Sequence, residues 1–134
     1  MTEKLPDMVH EFLIVTSMPT GHLRNDWEDF LLHSDFATHY VTPDFFADPY
    51  VGTGERFAIV ALSGRRIDAI VTALRNRTTI ISGLAVRPQI AFRVGVNRNS
   101  AGRCLVDGLS ECAGSRVDLI KFYSWQPIPD SVTT

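Results

Sequence analysis

The sequence predicts a mixed α/β fold, an α+β arrangement in which one sheet contains both antiparallel and parallel pairs and helices pack on it. Three observations carry that prediction. The middle of the chain is a succession of short, β-branched apolar runs separated by polar turns, the spacing of antiparallel strands. Amphipathic stripes at helical spacing lie on either side of it, around Trp27 and around Leu105. The second of these helices falls between two strands, which demands a crossover and hence at least one parallel pair.

Each element can be justified in turn. Glu11 to Ser17 is a short strand, broken by Met18-Pro19-Thr20-Gly21. Leu23, Trp27, Phe30 and Leu31 then form one face of a helix whose polar face carries Asp26, Glu28 and Asp29. Thr42-Pro43-Asp44 opens a second, short helix with Thr at the N-cap and Pro at its first position. Phe45, Phe46 and Tyr50 give it an aromatic face, and Pro49 helps to stop it. Phe57 to Leu62 reads as a strand buried on both sides, and Ile67 to Leu74 resumes the pattern after the turn at Ser63-Gly64-Arg65-Arg66. After Arg75-Asn76-Arg77 come a strand at Thr78 to Ser82, an interruption at Gly83, and a strand from Gln89 to Val94. Pro88 suits the end or edge position of that last run. Asn97 to Ser100 supplies a loop and an N-cap. Ala101, Cys104, Leu105, Leu109, Cys112 and Ala113 form a helical stripe, and Gly114 stands where a helix end wants positive φ. Val117 to Trp125 is the final strand, closed by Gln126 to Pro129. The order is β-α-α-β-β-β-α-β, with a further short strand allowed in the middle.

The chain has 134 residues, which fits one domain at 11–128 between short tails at 1–10 and 129–134. Its 13 basic and 15 acidic residues give a net charge of −2, so there is no basic excess to argue for nucleic acid. The charge is unevenly placed: residues 1–55 carry 10 acids and two bases, and residues 56–134 carry 11 bases and five acids. No apolar run approaches the roughly 20 residues that span a bilayer. The N-terminus lacks the apolar core of a secretory signal, so a cytoplasmic location is expected. Cys104 and Cys112 lie eight apart on one helix, about 12 Å along its axis, beyond the reach of a disulfide. They are expected as free thiols.

The stretch from Val94 to Tyr123 is strand, polar loop, helix, strand. A helix N-terminus after a strand offers unpaired N–H groups and a positive dipole end, an anion site in outline. The loop Arg98-Asn99-Ser100-Ala101-Gly102-Arg103 resembles the pyrophosphate-binding element of the GNAT acyltransferases, Arg/Gln-x-x-Gly-x-Gly/Ala. Arg98 matches the first position; Ala101 stands where the first Gly belongs, and Arg103 where a small residue belongs. The stretch from Trp27 to Phe46, with Thr38-x-Tyr40-x-x-Pro43, is similar to the opening of the FemAB-like, tandem-GNAT acyltransferases. The hairpin from Phe57 to Leu74 and the helix and strand that follow extend the resemblance over roughly residues 11–128.

The resemblance implies a GNAT-like half-domain and acyl-CoA as cofactor, bound by Arg98, Ala101, Gly102 and Arg103. In FemAB-like proteins the amino-terminal half has usually lost the coenzyme loop, and the second half carries the donor chemistry. The expectation is therefore an N-acyltransferase-related half that needs a partner half or a second copy. Enzymes of this fold place an amine near a thioester, with a strand bulge stabilising the oxyanion. No general base can be nominated from the sequence, since Glu11, Asp68 and Glu111 are equally unsupported, and the catalytic residues are unknown. The alternative is a self-associating or ligand-binding α/β domain without catalysis, completed by dimerisation through an open sheet edge or through the Phe45/Phe46/Tyr50 face.

Other motifs carry less. His10, His22, His33 and His39 show no metal-ligand spacing, so no metal is expected and they read as solvated or core side chains. There is no Gly-x-Ser-x-Gly elbow, Walker loop or Gly-x-Gly-x-x-Gly. Arg65, Arg66, Arg75 and Arg77 read as solvated turn charges, since no aromatics alternate with them as in a single-strand binder.

Overall fold

The computed structural model describes residues 10–35, 41–48, 54–76, 79–82, 90–113 and 119–122. The elements run β1 (Glu11–Val15), α1 (Gly21–Leu32), a single 3-10 turn (Pro43–Phe46), β2 (Glu55–Ser63), β3 (Arg66–Asn76), β4 (Thr79–Ser82), β5 (Ile90–Phe92), α2 (Arg98–Ala113) and β6 (Leu119–Phe122). They form one six-stranded mixed sheet ordered β1-β2-β3-β4-β6, with β5 also on β3. The expected mixed α/β architecture is therefore present. The parallel pair that the crossover demanded is β4 with β6. The strand that immediately precedes the helix, β5, instead pairs antiparallel with β3. Leu74 to Asn76 of β3 pairs with β4, and Ala69 to Val71 pairs with β5. The two short strands thus divide one edge of β3 between them. Gly83 and Pro88, read as the interruption between them, lie outside the described residues, as do Tyr50, Arg77, His39, Gly114, residues 1–9 and residues 129–134.

Alternation along β2 and β3 decides the two layers. Phe57, Ile59 and Ala61 face the same way as Ala69, Val71 and Ala73, and pack with Ala101, Cys104, Leu105 and Leu109 of α2. Ala58, Val60 and Ile70 face the other way and meet Trp27 and Phe30 of α1 with Val41. Strands covered on both sides read as continuous apolar runs, the pattern seen in the sequence. Phe30 and Trp27 are wholly buried; burying a side chain of the size of Phe30 is worth about 2 kcal/mol. The indole N–H of Trp27 donates to the Val41 carbonyl at 2.8 Å, which ties α1 to the 3-10 turn. Pro43 opens that turn and Thr42 precedes it in extended conformation, as the start signal required.

Two details place the site. Between Ala61–Ala69 and Leu62–Ile67 the register shifts, and the extra residue is Asp68. This bulge takes Asp68 out of the regular alternation of β3 and into reach of His10, just before β1, which in turn reaches Ser100 of α2. Past the end of α1 the chain runs alongside β5: Ser34 bridges Arg93, and Asp35 N–H donates to the Phe92 carbonyl at 2.8 Å. The bulge, the end of β5, the start of β1 and the start of α2 all lie at the same end of the sheet.

Candidate functional site

At that end Asp68 is fully buried, an acid in the mostly apolar run Ile67–Leu74 of β3. A buried carboxylate must be compensated, and here it is surrounded by donors. Arg66 forks onto it, Nε to Oδ1 at 2.6 Å and Nη2 to Oδ2 at 3.0 Å. Arg93 Nε lies 3.6 Å from Oδ1 and donates to the Ile67 carbonyl at 2.8 Å. His10 Nε2 is 2.8 Å from Oδ2. The other ring nitrogen of His10, Nδ1, is 2.8 Å from Ser100 Oγ in the first turn of α2. The imidazole is only 5% exposed.

For a neutral imidazole the tautomer follows from these partners. A carboxylate gripped by guanidinium groups only accepts, so Nε2 of the neutral ring is its donor. Nδ1 is then the lone-pair nitrogen, and the Ser100 hydroxyl donates to it. The sequence of groups is hydroxyl, imidazole, carboxylate, each within hydrogen-bond reach, with the last clamped by two arginines.

A second layer of ion pairs surrounds this chain. Arg93 Nη2 donates to Asp29 Oδ2 at 3.0 Å. Arg98 Nη1 donates to Asp35 Oδ2 at 2.6 Å, and its guanidinium carbon stands 4.4 Å over the Phe92 ring. Asp35 Oδ1 also accepts the Phe92 N–H at 3.0 Å. Ser63, which pairs with Arg66 at the end of β2, is buried, and among the described residues its hydroxyl has no hydrogen-bond partner.

The residues singled out by the coenzyme-loop resemblance fall beside this cluster. Arg98 is the first residue of α2 and is engaged by Asp35 and Phe92. Ala101 is wholly buried in the core under α2, and Gly102 is buried as well. Arg103 is exposed. The first turn is capped from within: Asn97 Oδ1 accepts the Ser100 N–H at 3.1 Å, and its carbonyl accepts the Ala101 N–H at 3.0 Å. A pyrophosphate laid on this turn would need the Ala101 and Gly102 backbone open to it. With Ala101 in the core and Gly102 buried beside it, these residues do not fit that group.

Of the three carboxylates with equal standing as a base, only Asp68 is in a site; Glu11 and Glu111 are exposed. His10, read as a solvated or core histidine, is a partnered link in the chain. His22 and His33 are exposed, and His33 Nδ1 lies 2.8 Å from the Asp29 carbonyl oxygen. Arg66 and Arg75 correct the reading of solvated turn charges. Both belong to β3, and while Arg66 holds Asp68, Arg75 Nη1 donates to the Cys112 carbonyl at 3.0 Å. The sequence did hold a signal: Ile67-Asp68-Ala69-Ile70 places one acid in a buried run, which calls for a buried partner. Which partner could not be read, because His10 and Ser100 are 58 and 32 residues away in sequence.

Both cysteines are free, Cys104 buried and Cys112 half-buried. No His, Cys, Asp and Glu cluster among the described residues is arranged to hold a metal ion, and no described helix is long and apolar enough to cross a membrane. A cleft of about 400 Å³ lies at the opposite end of the sheet, lined by Thr16, Glu55, Arg56, Phe57, Arg75 and Cys112. Compared with known proteins, the chain matches no protein-family model, no curated protein and no solved structure.

Proposed function

We propose that this chain is an acyltransferase-related domain of the GNAT and FemAB-like kind, a half that works with a partner half rather than holding the acyl donor itself. One observation carries the reading: the strand-helix-strand unit β5-α2-β6, whose helix N-terminus is closed by the protein's own groups. The element order agrees with the resemblance, since helix, short helical turn, a run of antiparallel strands and a crossover helix follow one another as it implies. Yet the turn that would face the coenzyme is occupied by Asn97, Asp35 and the core contacts of Ala101. That combination suits the half whose coenzyme loop has been lost, with acyl-CoA held by the other half.

A second reading, a self-associating domain without catalysis, has its own support. Among the described residues β1 is the first strand in the sheet order, paired with β2 alone, and it exposes Phe12 and Leu13. Edges of this kind are covered by pairing or by another element. Thermal melting with and without coenzyme A, together with sizing by light scattering, separates the readings. The half-domain reading expects no shift with coenzyme A and a monomer. A dimer whose melting is indifferent to coenzyme A supports self-association. Stabilisation by coenzyme A that disappears in Arg98→Ala would overturn the lost-loop reading and restore the donor site to this chain.

A further inference from the structure

We infer that Ser100 is an acyl-accepting nucleophile, with His10 as its base and Asp68 as the positioning carboxylate. The substrate class is an activated acyl ester or thioester. The inference stands on the geometry at the bulged end of the sheet and does not depend on the acyltransferase reading.

Three features distinguish this chain of groups from an ordinary buried polar contact. It has a direction: Arg66 and Arg93 fix Asp68 as acceptor, so the neutral ring presents its lone pair to Ser100 Oγ at 2.8 Å. A nucleophile within reach of a base that is itself oriented by a third group is the arrangement that activates a hydroxyl. The hydroxyl also sits in the right field. Ser100 is in the first turn of α2, where the helix dipole favours negative charge; the Ser100 and Ala101 N–H groups themselves are held by Asn97. Finally, Ser100 is only half-buried, so its oxygen is not sealed in the core with Asp68.

The step balances without any redox partner. Ser100 Oγ attacks the carbonyl carbon and an Oγ–C bond forms while its proton passes to His10 Nδ1. The tetrahedral adduct then collapses, the bond from carbonyl carbon to the departing oxygen or sulfur breaks, and the proton passes from Nδ1 to that leaving group. The product is an ester of Ser100.

The test treats the full chain with p-nitrophenyl acetate, follows nitrophenolate release, and locates the acetyl group by peptide mass spectrometry. Acetylation is expected at Ser100, lost in Ser100→Ala and slowed on the order of 100-fold in His10→Ala. Imidazole added to His10→Ala is expected to restore part of the rate, a rescue that a merely structural histidine would not show. Ser100→Cys is expected to become acylated at the introduced thiol. Acetyl groups found only on lysines or on Cys112, or a rate unchanged in Ser100→Ala, would overturn the proposal. Should His10→Ala not fold, the comparison of Ser100→Ala with Ser100→Cys decides, because both are small changes at a half-buried position.

Discussion

Cys104 shows how one buried side chain sets a pH limit on the fold. Its thiol is pushed up to about 11 from an ordinary 9.0 by burial first, and then by the charges of Asp107 and Glu11. The neutral thiol is the form the folded state favours. Its contribution is complete below pH 9 and is lost as pH rises from 9 towards 11, because the unfolded chain gives up the proton first. The loss reaches at most about 3 kcal/mol at 1.36 kcal/mol per unit. Urea midpoints measured across that range should fall for the native sequence and fall less for Cys104→Ala, even though the variant starts lower. Cys112, also raised by burial but opposed by Arg75, should react with a thiol-specific disulfide reagent well before Cys104; equal rates would contradict their different burial. The stripe that puts Cys104 in the core was legible in the sequence, as was the improbability of a disulfide. The meeting of His10, Asp68 and Ser100 was not, because it depends on a bulge, and a one-residue slip in register leaves no mark in a run of apolar residues.

At the level of elements, the contact between α2 and the sheet turns on Gly108. A Cβ built there would stand 2.4 Å from Cγ2 of Ile59, with two further Ile59 carbons at 3.3 Å. Ile59 is wholly buried and β-branched, so it has no free end to swing away. Gly108→Ala would gain about 1 kcal/mol of helix propensity and lose about 1–3 kcal/mol to overpacking. The clash is direct and the neighbour immobile, so we expect a net loss of about 1–2 kcal/mol in chemical denaturation. Trimming Ile59 to Ala in the same chain removes all three of these carbons, so the double variant should lose less than the sum of the two single losses, whereas additive losses would show that the two do not touch. Helical period predicted α2 and its buried face, and alternation predicted β2 and β3, because both patterns are local. The division of one edge of β3 between β4 and β5, and the pairing of β6 with β4, were not legible. They depend on which strands a crossover brings together, and several pairings satisfy the same apolar pattern. Gly64, with φ of +63° between the paired Ser63 and Arg66, is the local exception, a turn whose residue type announces its conformation.

Across the whole molecule, the uneven charge of the sequence becomes a set of stitches at the bulged end of the sheet. Residues 1–55 supply Asp29 and Asp35, and residues 56–134 supply Arg93 and Arg98, which pair at 3.0 and 2.6 Å. The acidic and basic parts of the chain therefore attract one another within one fold, and they do so around the Asp68 chain of groups. Asp29 is more than half exposed, so its pair with Arg93 is worth about 1 kcal/mol or less. Asp35 does two jobs, since one oxygen holds Arg98 and the other accepts the Phe92 N–H. Asp35→Asn keeps a carbonyl oxygen for that N–H and should cost about 1 kcal/mol or less. Asp35→Ala leaves the N–H without that acceptor and should cost about 1–3 kcal/mol more. Salt provides the check on this account. Near 1 M salt the screening length is about 3 Å, so the native chain should lose stability from low to high salt, and Asp29→Asn with Asp35→Asn should lose distinctly less. Parallel salt dependences would mean that the stitches do not hold the two parts together, and that the apolar layers under α1 and α2 do so alone.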